Sequence, residues 1–172
     1  MSVVKKNLVL LGMMAVGKST LGKIVAKSQG IEFIDTDKII EKKNSMTINE
    51  IFEKKGEKFF RMEEQNVVLN SLKQNNCVIA LGGGAFMNDI LRKNILKNTV
   101  SIWLDVDLDT LVGRLKWSAG RPLLKNENKQ QILEKLYVKR KGIYKLADYK
   151  ISCDKLNKES IVKKIISIYE KH

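Results

Sequence analysis

The sequence has very few of the residues that build disulfide frameworks, zinc centres and flexible linkers. Its 172 residues include two cysteines, one proline and one histidine. Cys77 and Cys153 are too few for a disulfide framework or a zinc site, so we expect each to be a reduced, packed thiol. The only histidine is the last residue, His172, which excludes histidine-based metal sites and catalytic triads. With Pro122 as the only proline and no Pro- or Ser-rich linker, we expect a single domain over residues 1–172.

Long apolar runs are also missing. No apolar stretch approaches the roughly 20 residues that a membrane helix requires. An apolar run follows Lys5 and Lys6, but it is interrupted at Gly12 and ends at Lys18, so we do not expect a secretory signal. These observations predict a cytoplasmic protein without a membrane partner.

Arginine is scarce although the chain is strongly basic. The sequence has 27 lysines and five arginines, and its net charge is +13. The lysines are spread along the whole chain, which indicates a preference for lysine on solvated surfaces. A basic cleft also raises the local concentration of an anionic ligand. We therefore expect an anionic small molecule and no nucleic-acid partner.

Short apolar runs alternate with longer amphipathic stretches. The predicted strands are Leu8–Leu11, Ile31–Asp35, Val78–Leu81, Val100–Leu104 and Tyr149–Ser152. The predicted helices are Ser19–Ser28, Thr47–Lys54, Phe60–Lys73, Leu108–Leu115, Lys129–Leu146 and Glu159–Glu170. This alternation predicts an α/β fold with a parallel sheet and helices on both faces. Ligands of such sheets bind at the carboxyl ends of the strands, where we expect the functional residues.

The first strand leads into a complete Walker A pattern. Gly12 is followed by four residues and then by Gly17, Lys18 and Ser19, with a helix predicted directly afterwards. Glycines allow backbone N–H groups to turn toward phosphate oxygens, and the helix adds its positive dipole end. Lysine reaches the β- and γ-phosphates, and the serine hydroxyl is a ligand for Mg²⁺. The segment predicts an ATP or GTP site.

Acidic residues and glycines follow the next two predicted strands. Asp35 and Asp37 would point to the same side of an extended backbone, one toward Mg²⁺ and the other toward a substrate hydroxyl. A solvated acidic turn or a helix cap is the alternative. Gly82, Gly83 and Gly84 would let the backbone approach a ligand closely and offer N–H donors, with a flexible turn as the alternative.

The five arginines are candidates for binding carboxylate or phosphate. Arginine grips such groups in bidentate fashion, which lysine does not. Arg121 lies between small residues and Pro122-Leu123-Leu124, as expected for a mobile flap. Arg140 lies on a predicted helix, and Arg92 has no such context and is predicted to be a surface residue.

Taken together, these motifs resemble the shikimate kinase family over roughly residues 7–152. The matching segments are GxxxxGKS at 12–19, DTD at 35–37, FFRMEE at 59–64, GGGA at 82–85, R-x6-RPLL at 114–124 and R-x3-Y-x2-AD at 140–148. The Walker A pattern is shared by many families, whereas the combination of the other motifs is far more specific.

The resemblance implies a fold and an activity. The fold is a P-loop three-layer sandwich similar to nucleoside monophosphate kinases, with a five-stranded parallel sheet of order 2-3-1-4-5. The activity is transfer of the γ-phosphate of ATP to the 3-hydroxyl of shikimate, in the pathway to chorismate and the aromatic amino acids. It also implies Mg²⁺ as a cofactor and a monomeric enzyme, with a substrate-binding helical segment at about 36–60, a pocket wall from Thr47–Lys73 and a mobile lid at about 116–126.

The resemblance also implies roles for individual residues. Asp37 would hold the shikimate hydroxyls and assist the attacking one, while Arg61 and Arg140 would clamp the carboxylate and Glu64 would orient Arg61. The backbone of Gly82, Gly83 and Gly84 would contact the ring hydroxyls. The catalytic residues would be Lys18, Asp37 and Arg121, and the metal-binding residues Ser19 and Asp35. The nucleotide-binding residues would be Gly12, Ala15, Val16, Gly17, Lys18, Ser19, Thr20, Arg114 and Arg121.

Two alternatives stay open at this point. Another small-molecule kinase, resembling gluconate kinase or a nucleoside monophosphate kinase, shares the Walker A motif but is not expected to combine DTD, GGG and RPLL. A P-loop binding or regulatory module acting on RNA agrees with the basic charge. However, the basic residues are not interleaved with aromatic side chains.

Overall fold

Five parallel strands form a single sheet with helices on both of its faces. The computed structural model describes residues 5–115 and 129–172. The strands are β1 (Asn7–Leu11), β2 (Glu32–Asp35), β3 (Cys77–Ala80), β4 (Thr99–Asp105) and β5 (Tyr149–Ser152). The helices are α1 (Lys18–Gln29), α2 (Thr36–Asn44), α3 (Ile48–Ser71), α4 (Asp89–Asn98), α5 (Leu108–Leu115), α6 (Lys129–Tyr144) and α7 (Lys158–Tyr169), with a 3₁₀ turn at Ala85–Met87. The strand order is β2-β3-β1-β4-β5, which confirms the predicted topology.

The central strand β1 connects the core to the functional edge of the sheet. All five of its residues are buried, because β3 and β4 pair with it on either side and helices cover its faces. The edge strands β2 and β5 carry exposed residues. The carboxyl ends of β1, β2 and β3 lie side by side, which brings the segments after them together.

Sequence periodicity predicts all five strands to within one residue at each end. It predicts neither α2 nor α4. In α4 only Leu91 and Ile95 are buried, so the apolar stripe of that helix is narrow. The Asn88-Asp89 pair, which is typical of turns, caps the helix here: Asn88 Oδ1 accepts hydrogen bonds from the amides of Ile90 and Leu91.

A kink divides α3 into two helical arms. Gly56 has φ 86° and ψ 168°, values outside the helical region. The separate helices predicted over Thr47–Lys54 and Phe60–Lys73 correspond to these arms. The first arm begins with a capping box between Thr47 and Glu50.

A second hydrophobic cluster joins α2 to α3, apart from the main core around the sheet. Ile40, Ile51, Phe60 and Val67 are its buried members, and we refer to them as the smaller cluster. This cluster supports the segment at about 36–60, where the sequence predicts substrate binding.

Both cysteines are free and buried, as predicted from their number. Burial raises the pKa of the Cys77 thiol to about 11, and it raises that of Cys153 to about 11 as well. Both thiols are therefore protonated and unreactive at neutral pH.

Across residues 5–115 and 129–172, no helix has the length and apolarity needed to cross a membrane.

Candidate active site

The loop between β1 and α1 has the geometry of a phosphate cradle. Gly12 has φ 146°, and a Cβ atom there would lie 2.5 Å from the carbonyl oxygen of Leu104, so only glycine fits. Gly17 has φ 100° and precedes α1 without a side-chain cap. The first turn of α1 also lacks acidic residues. The amides and the positive dipole end of α1 are therefore available to bind an anion such as phosphate.

The Lys18 ammonium spans this loop. Its Nζ donates hydrogen bonds to the carbonyls of Gly12 and Met13, both at 2.8 Å. Ala15 adopts a left-handed conformation with φ 63°, a local strain of the kind found at functional loops. The Arg114 guanidinium donates to the Ala15 carbonyl at 3.0 Å, which places Arg114 against the outside of the loop.

Ser19 and Asp35 meet where the ends of β1 and β2 converge. The Ser19 hydroxyl donates to Asp35 Oδ2 at 2.5 Å. Asp35 Oδ1 accepts from the amide of Lys38 at 3.2 Å and so caps α2. The prediction that Asp35 and Asp37 share an extended backbone is wrong in this respect. The helix begins at Thr36 because Asp35 caps it, although both carboxylates still line the same cavity.

Thr36 connects these segments, a role that sequence reasoning missed. It is fully buried, its hydroxyl donates to the Ala80 carbonyl at 3.3 Å, and it accepts from the Gly82 amide at 3.3 Å. One N–H group of the glycine triplet is thus used within the protein. The middle residue of the DTD motif gives no signal of this role beyond its place at a strand end.

Each residue of the triplet Gly82–Gly84 lies against charged side chains of the site. A Cβ on the first glycine would lie 2.6 Å from Asp37 Oδ1. On the second it would lie 3.0 Å from Arg140 Nη1, and on the third 2.5 Å from Arg61 Nη1. None of the three has a positive φ. A side chain at any of these positions would therefore displace a charged group of the site, a reason for glycine that the sequence-based interpretation did not include.

Glu64 holds Arg61 from the protein interior. Arg61 Nη1 lies 2.8 Å from Glu64 Oε2, and only 2% of Glu64 is exposed. Burial raises the pKa of Glu64, Arg61 opposes that rise, and the charge of Asp37 adds to it. The preceding residue, Glu63, points elsewhere and binds Lys43 of α2 at 3.0 Å.

Two buried polar atoms face this site without a hydrogen-bond partner in the described part of the chain. They are Arg140 Nη1 and Glu64 Oε1. Arg140 lies on α6 and is 5% exposed. Because buried polar atoms are normally hydrogen-bonded, these atoms indicate a polar ligand.

The phosphate loop and the charged side chains open into one cavity of about 580 Å³. Predicted site residues that line it are Ala15, Gly17, Lys18, Ser19, Thr20, Asp35, Asp37, Arg61, Gly82, Gly83, Gly84 and Arg140. Gly12, Val16 and Arg114 lie outside this lining. Gly12 lies close to the Leu104 carbonyl and to Val16, and Arg114 binds the backbone of the loop. Arg121 and the predicted lid lie outside the described residues.

An apolar wall closes one side of the cavity. Ile48, Phe52 and Phe60 line it, all within the predicted wall Thr47–Lys73. The rings of Phe52 and Phe60 are 4.7 Å apart, and the Arg61 guanidinium lies 5.2 Å from the centre of the Phe60 ring. The ring of Phe60 therefore both packs in the smaller cluster and supports a charged residue of the site.

Arg92 is not a surface residue, contrary to the prediction. Its side chain is 15% exposed, and Nη1 donates to the carbonyls of Phe86 and Met87 at 3.1 and 3.2 Å. It also pairs with Asp89. Arg92 therefore stabilises the 3₁₀ turn that follows the glycine triplet, and the sequence-based interpretation missed it because α4 was not predicted.

Comparison with known proteins agrees with this geometry. The family model of shikimate kinase matches residues 14–170. The shikimate kinase of Bartonella henselae is 44% identical over 161 residues, which cover 94% of this chain and 77% of that protein. The chain belongs to the shikimate kinase family. Its activity is therefore that of an ATP-dependent small-molecule kinase, which phosphorylates shikimate to shikimate 3-phosphate.

The fold is also similar to that of solved shikimate kinase structures. The shikimate kinase of Acinetobacter baumannii, solved in complex with shikimate, superimposes with a TM-score of 0.92 at 32% identity, covering 97% of this chain and 94% of that one. A gluconokinase from Sinorhizobium meliloti reaches a TM-score of 0.61 at 14% identity, covering 98% of this chain and 93% of that one. The second likeness reflects the fold alone.

Proposed function

We propose that this cavity binds ATP and shikimate side by side and that the residues described above carry the transfer. The observation that carries this proposal is that one cavity is lined both by Lys18 and Ser19 of the phosphate loop and by Asp37, Arg61 and Arg140. Phosphoryl transfer depends mainly on positioning and charge neutralisation. A shared cavity supports direct transfer, with the acceptor hydroxyl next to the γ-phosphate.

Arg61 and Arg140 bind the shikimate carboxylate in this proposal. Both guanidinium groups approach the glycine triplet, and Arg140 Nη1 is a buried donor directed into the site. Glu64 fixes Arg61 by its 2.8 Å ion pair, so the planar fork is oriented before the substrate arrives. Two arginines also offset the cost of removing a carboxylate from water.

Asp37 holds the substrate hydroxyls and accepts the proton of the attacking 3-hydroxyl. Its Oδ1 lies against Gly82, at the junction between the acceptor side and the phosphate loop. General-base assistance of this kind contributes about 10²–10⁴-fold to a rate. Lys18 stabilises the negative charge on the transferred phosphoryl group.

Ser19 and Asp35 would hold Mg²⁺. Their oxygens are 2.5 Å apart at the mouth of the phosphate loop, and both are hard oxygen donors. Among the residues described, no group of three or more acidic, histidine or cysteine side chains could hold a metal. Magnesium suits such a site because it binds through one or two protein ligands, waters and substrate phosphates. It would supply charge neutralisation at the phosphates.

The remaining assignments stay predictions of the sequence. They include closure of the lid with Arg121, binding of the nucleotide by Arg114, a monomeric state, a cytoplasmic location and the absence of a nucleic-acid partner. The position of Arg114 on the Ala15 carbonyl supports a place near the nucleotide.

The deciding experiment measures ADP release from MgATP with shikimate, gluconate, AMP or no acceptor. We expect acceleration with shikimate only. Arg61→Lys and Arg140→Lys should each raise the KM for shikimate much more than the KM for ATP, because lysine lacks the bidentate fork. Equal losses for both substrates would contradict the pocket assignment. Acceleration by another acceptor would leave the nucleotide site in place and require reassignment of the acceptor side.

A further inference from the structure

Tyr144 is a buried tyrosine whose hydroxyl reaches the glycine triplet. It is the last residue of α6 and is fully buried. Its hydroxyl donates to the carbonyl oxygen of Gly83 at 2.5 Å. Arg140 lies four residues earlier on the same helix, so both side chains are on one helix face and act on the same glycine.

The ring of Tyr144 is held from two sides. Its centre lies 5.8 Å from that of Trp103 on β4, and its hydroxyl lies 3.9 Å from Met13 Sδ in the phosphate loop. Burial raises the pKa of Tyr144 to about 12, and the charge of Arg140 opposes that rise. The hydroxyl is therefore a neutral hydrogen-bond donor at physiological pH, and packing directs it at Gly83.

Gly83 lies between the two halves of the site. A Cβ on it would lie 3.0 Å from Arg140 Nη1, 3.6 Å from the amide nitrogen of Met14 and 3.7 Å from the carbonyl oxygen of Gly12. Any shift of the Gly83 peptide therefore changes the space available to the Arg140 guanidinium. The hydrogen bond from Tyr144 fixes that peptide from the side of the core.

We propose that Tyr144 is a positioning residue for the acceptor site: its hydroxyl fixes the Gly83 carbonyl and thereby sets the place of the Arg140 guanidinium. The proposal rests on the proposed role of Arg140 in binding the shikimate carboxylate. Tyr144 is not itself a catalytic residue: it acts through the Gly83 carbonyl and through the Arg140 side chain, with which it also interacts directly. Its loss affects acceptor binding more than nucleotide binding, because Arg140 belongs to the acceptor side.

A matched control is present elsewhere in the chain. Tyr169 on α7 is also buried, and its hydroxyl donates to a backbone carbonyl, that of Lys6, at 2.9 Å. Lys6 precedes β1, so this hydrogen bond lies at the amino end of the central strand, whereas the cavity lies at the carboxyl ends of the strands. Tyr144→Phe and Tyr169→Phe therefore each remove a hydroxyl that donates to a backbone carbonyl, one near the site and one far from it.

The experiment compares KM and kcat of these two variants and of Arg140→Lys, together with their thermal unfolding. We expect Tyr144→Phe to raise the KM for shikimate roughly three- to tenfold, the scale of one lost hydrogen bond, with the KM for ATP unchanged. Tyr169→Phe should lower the unfolding temperature comparably and leave both KM values unchanged.

The outcomes separate this inference from the proposed function. An unchanged KM for shikimate in Tyr144→Phe, or an equal change in Tyr169→Phe, overturns the role of Tyr144 while Arg140→Lys still reports on the pocket. If Arg140→Lys leaves the KM for shikimate unchanged, the pocket assignment itself fails. Should Tyr144→Phe not fold, Trp103→Phe loosens the same ring and should shift the KM for shikimate in the same direction; no shift there also overturns the proposal.

Discussion

Gly84 and Arg61 are in such close contact that a side chain at position 84 would have to displace the Arg61 guanidinium. A Cβ on Gly84 would lie 2.5 Å from Arg61 Nη1 and 2.8 Å from Nη2, distances that real Cβ contacts do not show. The two preceding glycines also lie close to charged groups: a Cβ on Gly82 would lie 2.6 Å from Asp37 Oδ1, and one on Gly83 would lie 3.0 Å from Arg140 Nη1. The backbone after β3 thus lies in direct contact with the charged groups of the acceptor side.

Gly84→Ala should weaken shikimate binding without unfolding the protein. The added methyl group displaces the Arg61 guanidinium from its pair with Glu64, so we expect the KM for shikimate to rise by about tenfold or more, the effect of losing a charge-assisted hydrogen bond. Steady-state kinetics with shikimate and ATP varied separately would measure this.

Gly142→Ala is the matched control for that substitution. Gly142 is exposed on α6, and a Cβ there meets nothing within 4 Å. Alanine at an exposed helix position should raise the free energy of unfolding by up to about 1 kcal/mol and leave the kinetics unchanged. Unchanged shikimate kinetics in Gly84→Ala would show that Arg61 adjusts freely and is not held by the glycine.

Asp37→Asn should abolish most of the turnover while ATP still binds. Asparagine has nearly the same shape, so the contact with Gly82 is retained, but it does not accept the proton of the attacking hydroxyl. We expect kcat to fall by about 10²–10⁴-fold. Asp109→Asn, at an exposed position in the first turn of α5, should behave like the wild type. Near-normal turnover of Asp37→Asn would remove Asp37 from the mechanism.

Asp35→Asn should increase the Mg²⁺ concentration needed for half-maximal activity. Asparagine also caps helices well, so α2 should stay intact, while one negative oxygen next to Ser19 is lost. We expect a shift on the order of tenfold in a magnesium titration at fixed ATP. If the titration curve does not move, Asp35 serves only as the helix cap.

Glu63 and Glu64 should affect stability in opposite directions as the pH changes. The pKa of Glu64 is raised by burial, so the folded state holds this proton more tightly than the unfolded state does. Stability therefore falls as pH rises from the ordinary pKa of a glutamate to the raised pKa of Glu64. The pKa of Glu63 is lowered by its hydrogen bond from Lys43, so its contribution is present at higher pH and is lost as pH falls through the lowered value.

Urea unfolding of Glu64→Gln and Glu63→Gln between about pH 3 and pH 7 tests these signs. Relative to the wild type, Glu64→Gln should gain stability as pH rises, and Glu63→Gln should lose it. Glu64→Gln should also raise the KM for shikimate, because Arg61 loses the charge of its partner. If the free energies of unfolding of both variants change with pH in the same direction relative to the wild type, the pKa directions assigned to Glu63 and Glu64 are contradicted.

The strands and the phosphate loop follow from the sequence because local patterns determine them. The buried strand before Gly12 and the helix after Gly17 are visible as an apolar run and a periodic stretch. The kink at Gly56 is also visible, as a gap between two periodic segments. Such features depend on residues close together in the chain.

Contacts between distant segments are what the sequence does not reveal. The hydrogen bonds of Thr36 to β3, and of Tyr144 to Gly83, join residues that are far apart along the chain. The extended DTD segment was wrongly expected because its first aspartate is also a good helix cap. Likewise, the sequence predicts that a ligand approaches the glycine triplet, and it does not reveal that protein side chains also approach it.

The separation of the smaller cluster from the main core has a consequence for the response to heat. Four buried side chains support the acceptor wall, whereas the phosphate loop is anchored in the fully buried strand β1. Because less buried apolar area gives less stabilisation, the acceptor wall opens at a lower free-energy cost than the sheet. On warming, the enzyme should therefore lose its affinity for shikimate before it loses its affinity for ATP.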